Sequence, residues 1–353
     1  MISPRRGCRR APPEYTDTCR LEGTVVTTPT APTLAIATYN YEHGGWGPDG
    51  RLCLEPAIDH IAEAVPGLSI LYFQEAQHYQ RDGKRALNRF AELLRDRFGG
   101  TWGAHLAINP HSPLHNAVFY RHDTAREVQA WPDTRDPDAR LAYEGTLWLQ
   151  IDGLPKDLLV QSVHWRHDSG DVRAEQAGRL GNMIVLPAIA AGDFNCLWPG
   201  KNEHHPDWGK LPPHLRYHKT WVNPATGKIE TDLRASQLSL RQGWVDAGAL
   251  AGDNTVTTNN PPDAAPCRID RIMVSPPLAA GIVPGSYRVH IPETQISDHR
   301  LVSVRVDLSH YNEPFHAPWW DEDELFGDET WIGGDTSSNP NTNKGWGPKG
   351  QPR

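Results

Sequence analysis

The chain has 353 residues, 38% of them apolar and 22% charged, which is enough for two average domains or for one layered α/β domain of about 250 residues with extended ends. Its formal charge of −8 argues against a grip on nucleic acid by overall attraction, which needs a basic face. The five cysteines form no CxxC pair, which argues against cysteine-bound zinc and fits a reducing compartment.

In chain order, residues 1–32 are rich in Pro, Thr and Arg without periodicity, carry a charge of +2, and read as an N-terminal tail that buries too little to order itself. No secretory-type apolar run follows Arg5, Arg6, Arg9 and Arg10, and no stretch approaches the ~18 apolar residues of a membrane span. A cytoplasmic monomer is expected. Short apolar runs at 34–38, 68–73, 116–120, 147–151 and 158–163 predict buried or half-buried strands. Helical spacing over 55–65 and 84–98, the second with Ala86, Phe90, Leu93 and Leu94 on one side, predicts helices between them. A further helix is expected at 172–185, then a strand at 184–191 running into Gly192, and later strands at 268–275, 287–291 and 301–308.

This alternation, with strands dominating the ends and no internal repeat, predicts two packed sheets with helices outside, over residues 33–308. Residues 198–232 are polar, Pro-rich and too long for an ordinary connection, so they read as a functional insertion or a disordered loop. Residues 309–353 carry −5 with scattered Trp and read as an acidic C-terminal tail, mostly disordered. A competing reading folds that tail over a basic cleft.

Polar residues stand where the expected strands end, the place where a layered α/β protein builds its site. They are Asn40 in ATYN, Glu75 in LYFQE, His164 in QSVHWRH, Asp193 and Asn195 in AGDFN, and Asp298 with His299 in ISDH; Asp270 lies inside CRIDRIMVS. A strand that is apolar up to a terminal Glu must put that charge at a polar rim or beside a cation. Glu75 and Asp298, helped by the Asn40 amide oxygen, supply the incomplete oxygen shell of a hard cation such as Mg²⁺. Taken singly, each has a bland reading: a solvated strand end for Glu75, an Asx-type turn for GDFN, a helix cap for SDH. Their joint order, each after or within an apolar run, carries the chemistry.

These motifs resemble the endonuclease/exonuclease/phosphatase superfamily, also called DNase I-like, from ATYN at 37–40 to SDH at 297–299. The resemblance implies an α/β (α+β) four-layer sandwich of two packed mixed β-sheets flanked by helices, and hydrolysis of phosphate esters with Mg²⁺, or Mn²⁺ or Ca²⁺ in its place. It implies that Asn40 and Glu75 bind metal, with Asp298 a further metal-side carboxylate. It also implies that Asp193 orients or deprotonates water, Asn195 contacts the phosphate, His164 donates to it, and Asp270 orients His299. Which of Asp193 and His299 is the base stays open. A proton needed on His299 would make activity pH-dependent near neutrality. The motif VHWRH departs from the family's Thr-His-Leu type, and it adds His167 as a surface histidine or a phosphate contact. Arg173 follows at the family's helical spacing as a candidate substrate contact.

The insertion interleaves Lys201, His204, His205, His214, Arg216, His218 and Lys219 with Trp198, Trp208, Tyr217 and Trp221. That pattern suits a nucleic-acid strand, or equally an irregular loop whose Trp residues pack on the domain; its four histidines match no standard zinc spacing. The expected activity is a nuclease or phosphodiesterase acting by direct water attack. A phosphomonoesterase for a sugar or lipid phosphate is the alternative, and a non-catalytic binding protein on the same fold is the rival from another class.

Overall fold

The computed structural model describes residues 32–109, 112–131, 146–201, 203–259 and 265–311. The expected N-terminal tail lies outside the described residues except for Pro32, and the expected acidic tail except for 309–311. The first half runs β1 (Thr33–Asn40), α1 (Glu55–Ala64), β2 (Leu68–Gln74), α2 (Arg85–Phe98), β3 (Trp102–Ala107), β4 (Asn116–Arg121), β5 (Arg126–Trp131), β6 (Thr146–Gln150) and β7 (Leu158–His164). The second runs α3 (Gly170–Leu180), β8 (Ala188–Asp193), α4 (Pro213–Arg216), β9 (Thr220–Val222), β10 (Ile229–Thr231), α5 (Arg234–Arg241) and β11 (Val245–Asp246). It finishes with α6 (Ala247–Ala251), β12 (Asp270–Val274), α7 (Pro276–Ala279), β13 (Arg288–His290) and β14 (Leu301–Asp307).

Two six-stranded sheets form, in the orders β13-β14-β1-β2-β4-β3 and β11-β12-β8-β7-β6-β5, and β9 with β10 makes a separate hairpin. Both large sheets are mixed: β1 and β2 run parallel across α1, β7 and β8 parallel across α3, and the other pairs are antiparallel. The two-residue alternation of side chains explains why the strands read as continuous apolar runs. Leu34, Ile36, Ile70 and Tyr72 face inward against Leu158, Val160, Ile189 and Ala191 of the other sheet. Their neighbours Ala35, Ala37, Leu71 and Phe73 face outward under Ile58, Ile61, Phe90 and Leu94 of α1 and α2. On the far side Leu159, Val163, Ala188 and Ala190 lie under Ala177 and Leu180 of α3 and Ala235 and Leu240 of α5. The result is helix, sheet, sheet, helix, the four-layer sandwich that the motifs implied.

Differences from the sequence reading fall at edges and breaks. Strands β3 and β5 were not expected; each ends its sheet, where pairing on one side needs no long apolar run. The helix expected to 185 stops at Leu180, where a tight turn over Gly181–Met183 follows. The strand expected from 184 begins at Ala188, because Pro187 has no N–H to give the ladder.

The insertion at 198–232 is held to the second sheet by buried ions. Arg268 and Arg271 are fully buried, and both bind Asp246 and Glu203: Arg268 Nη2 donates to Asp246 Oδ1 at 2.8 Å, its Nη1 to Glu203 Oε1 at 2.6 Å, and Arg271 Nη2 to Glu203 Oε2 at 3.1 Å. Arg271 also lies over the Trp198 ring, 4.8 Å from its centroid. Burial alone would raise the Asp246 pKa, but the Arg268 and Arg271 guanidiniums outweigh it and hold the carboxyl well below its ordinary range. Asp246→Asn leaves two buried cations with half their counter-charge. Urea unfolding at pH 7 is expected to show a loss of about 3–5 kcal/mol, and a change under about 1 kcal/mol would remove the network from its structural role.

Candidate active site

The catalytic candidates come together because strand register sets them side by side. In the first sheet Asn40, the last residue of β1, pairs with Gln74, and Glu75 follows at once. In the second, His164 ends β7 opposite Asp193, which ends β8, and Asp193 in turn faces Asp270 at the start of β12. Gly192 makes that approach possible: at φ +150°, a Cβ there would lie 1.9 Å from the Val163 carbonyl oxygen. A polar ladder ties the sheets together beneath, Thr38 Oγ1 donating to Gln74 Oε1 (3.1 Å) and Gln74 Nε2 to Ser162 Oγ (2.9 Å).

Asp193 Oδ2 is the hub. Asn40 Nδ2 donates to it at 3.3 Å and Asn195 Nδ2 at 3.0 Å, while the Nε2 atoms of His164 and His299 each stand 3.8 Å away. Asp193 Oδ1 accepts the Asn195 N–H at 2.8 Å, the Asx turn of the GDFN motif, with Asn195 at φ +51°. Glu75 joins from the first sheet: its Oε1 lies 3.4 Å from Asn40 Nδ2 and 4.0 Å from His164 Nε2, and its Oε2 accepts the His43 N–H at 2.9 Å. His299 is clasped from behind, with Nδ1 at 3.0 and 2.8 Å from the two oxygens of Asp270. Burial by itself would lower the His299 pKa, but Asp270 first and Asp193 second outweigh it and push it up to about 10.

The remaining candidates sit differently. Asp298 is half-buried, and among the described residues its carboxylate meets the cluster through Ser297, whose Oγ lies 3.4 Å from Asp298 Oδ1 and donates to the Asn40 carbonyl at 2.8 Å. His167 lines a cavity beside Asn195 and His299. Arg173, expected as a substrate contact, is 1% exposed: it donates to the carbonyls of Arg166, His167 and His218 at 2.9, 3.1 and 2.7 Å and pairs with Asp232 at 3.7 Å. Its guanidinium is thus committed to the main chain, bracketing the loop after β7 against the insertion.

Two contacts of the site are not legible in the sequence. Thr257 Oγ1 accepts the Ile269 and Asp270 N–H groups at 3.0 Å each, fixing the strand start that carries Asp270. Lys219, from the insertion, donates through Nζ to the Asn195 carbonyl at 2.6 Å and to its Oδ1 at 2.8 Å. In the sequence Lys219 and Arg216 belong to the basic and aromatic pattern that suits a nucleic-acid strand, and nothing there marks Lys219 as a partner of Asn195. Much of that loop packs: Trp198 is buried, Trp208 Nε1 donates to Thr231 Oγ1 at 2.7 Å, and Arg234 lies over the Trp221 ring, while Tyr217 stays exposed.

A divalent cation can be tested against these donors. Asn40 Oδ1 is buried with no hydrogen-bond partner among the described residues, and it sits in the same side chain that touches Glu75. An orphaned amide oxygen beside a carboxylate fits a hard cation. Asp193, Asp270 and His299 also place ligand-type atoms within 4.8 Å of one another. There the Asp270 oxygens and His299 Nδ1 are already engaged with each other.

No curated protein matches the chain in sequence. Among solved structures it is similar to an AP endonuclease from Archaeoglobus fulgidus, at 18% identity over 78% of this chain and 98% of that one, with a TM-score of 0.52. It is also similar to a 3′-5′ exonuclease from Neisseria meningitidis (14% identity, 78% and 100% covered, TM-score 0.51). A third is an endonuclease/exonuclease/phosphatase from Beutenbergia cavernae (18% identity, 83% and 76% covered, TM-score 0.53). At these identities the likeness shows the fold. The family model for the endonuclease/exonuclease/phosphatase family matches residues 37–299, which span every strand-end residue of the cluster around Asp193, and the chain belongs to that family.

Proposed function

We propose that this phosphoesterase-family chain is a divalent-metal-dependent phosphodiesterase of the nuclease type, cleaving a phosphodiester by direct attack of water. The observation that carries the reading is a chain of two carboxylates and two imidazoles drawn from both sheets: His164 Nε2 stands 4.0 Å from Glu75 Oε1 and 3.8 Å from Asp193 Oδ2, and His299 Nε2 3.8 Å from the same Asp193 oxygen. Glu75 and Asn40 Oδ1 would hold the cation, with Asp298 at its margin; Mg²⁺ suits this oxygen set, and Mn²⁺ or Ca²⁺ could occupy it. Bound there, a divalent ion offsets the negative charge that builds on the phosphoryl oxygens.

The chain's own side chains divide the proton work. His299, with a pKa near 10, keeps its proton at neutral pH and so serves as a donor, which leaves Asp193 as the base that orients and deprotonates water. His299 Nε2 and His164 Nε2 flank the Asp193 carboxylate and donate to phosphoryl oxygens as charge develops there. The expectation of a pH dependence near neutrality changes accordingly: the Asp270 partner moves the His299 limb to alkaline pH. Two depressions support an extended substrate. One lies against Asn195 and His299, and the other, of about 400 Å³, begins at His78, three residues after Glu75. The small volume of the first, about 220 Å³, favours a compact phosphomonoester as the second reading.

Turnover of bis-p-nitrophenyl phosphate, p-nitrophenyl phosphate and plasmid DNA, with Mg²⁺ and with EDTA, separates these readings. Diester cleavage that EDTA abolishes, falling at least about 100-fold in Glu75→Ala and in His299→Ala, is expected. Turnover of the monoester alone selects the second reading, and turnover of none of the three returns the chain to a binding role. In the metal-free protein, NMR titration of the His299 ring is expected to show imidazolium well above pH 8. Its raised pKa adds stability that is full below about pH 6.5 and is lost as pH rises through about 10. A midpoint below pH 8 would remove the donor role.

A further inference from the structure

The insertion carries a cation into the interior of the site. Lys219 stands half-buried just before β9, and two of its three ammonium hydrogens go to the carbonyl and Oδ1 of Asn195. Among the described residues no carboxylate forms an ion pair with it; Asp193 acts on it from beyond ion-pair distance. Burial first, then the nearby Arg173 guanidinium, lower its pKa to about 8, so the ammonium form still prevails at neutral pH. A half-buried cation that bonds only neutral oxygens lacks its counter-ion.

The space for one is present. Lys219 lines the cavity of about 220 Å³ together with His299, His167 and His218. The His167 and His218 rings lie 5.6 Å apart, and His218 Nδ1 is buried without a hydrogen-bond partner among the described residues. Trp208 and Ile269 give the cavity an apolar wall. The residue expected to hold phosphate, Asn195, is by contrast already engaged: its two amide hydrogens donate to the Trp165 carbonyl and to Asp193 Oδ2, each at 3.0 Å.

We propose that Lys219 binds a non-bridging phosphoryl oxygen of the substrate in this cavity, beside the imidazoles of His167 and His218, and that Asn195 aims the ammonium. The alcohol part of the ester then lies along Trp208 and Ile269. This rests on the phosphoesterase reading, and it assigns to the segment before β9 the anion contact that the engaged Asn195 amide does not supply.

Binding of inorganic phosphate to the full chain in EDTA, read by titration calorimetry at pH 7, tests it without turnover. Lys219→Met is expected to weaken phosphate binding at least about 10-fold at an unchanged melting temperature, and Lys219→Arg to stay within about threefold of the parent. Equal affinity in the Met variant, or no phosphate binding by the parent chain, overturns the assignment. If the Met variant does not fold, reductive methylation of the parent chain mapped by peptide mass spectrometry decides. Phosphate is expected to protect Lys219 while the exposed Lys210 and Lys228 react as before, and unprotected Lys219 overturns it. A chain that binds phosphate through Lys219 yet hydrolyses no ester keeps this inference and loses the phosphoesterase reading. One that hydrolyses esters with Met at 219 undiminished in phosphate binding does the reverse.

Discussion

A buried carboxylate needs donors on every side, and in this protein Asp193 is that carboxylate. It closes β8 at the seam between the sheets, where water reaches little of it, and its charge is met by the amides of Asn40 and Asn195 and faced by two imidazoles. One of those donors comes from the other sheet, so the two sheets cannot slide past each other without stripping Asp193 of a partner. The ladder from Thr38 through Gln74 to Ser162 adds a second crossing just beneath, again with side chains that have no water to fall back on. Stability and site geometry therefore share the same bonds.

The stretch Arg268–Arg271 joins the active site to the insertion. Asp270 points at His299, while its neighbours Arg268 and Arg271 hold Asp246 and Glu203. Glu203 belongs to the insertion, so the buried ion network that fixes the start of β12 also fixes the segment that delivers Lys219 and His218. Arg173 does related work from α3, gripping the carbonyls of His167 and His218 and thereby setting the spacing of the two rings. The insertion is thus a fixed wall of the cavity, held by three buried arginines.

The two histidines of the cluster differ in what stands behind them. His299 has a whole carboxylate at its back, which raises its pKa, whereas His164 faces Asp193 and Glu75 at 3.8–4.0 Å without a hydrogen-bonded partner on its ring among the described residues.

Sequence alone determined the architecture and most of the site's membership. Strands covered on both faces have to be apolar throughout, so the polar residues at their ends, Asn40, Glu75, His164 and Asp193, stand out by contrast, and the helices between them show a period of their own. Edge strands β3 and β5 escaped because pairing on one side asks for no such run, and the break before β8 was masked because Ile184 and Leu186 pack on the core as a turn. Only the tertiary structure decided which ends touch and which charges are sealed in. Arg173 and Lys219 look alike in the sequence, as basic residues in polar surroundings, yet one is tied up by main-chain carbonyls and the other faces a cavity. The reason is that burial and pairing of a charge depend on register across two sheets and on ion pairs between residues tens of positions apart, and neither leaves a mark on the local sequence.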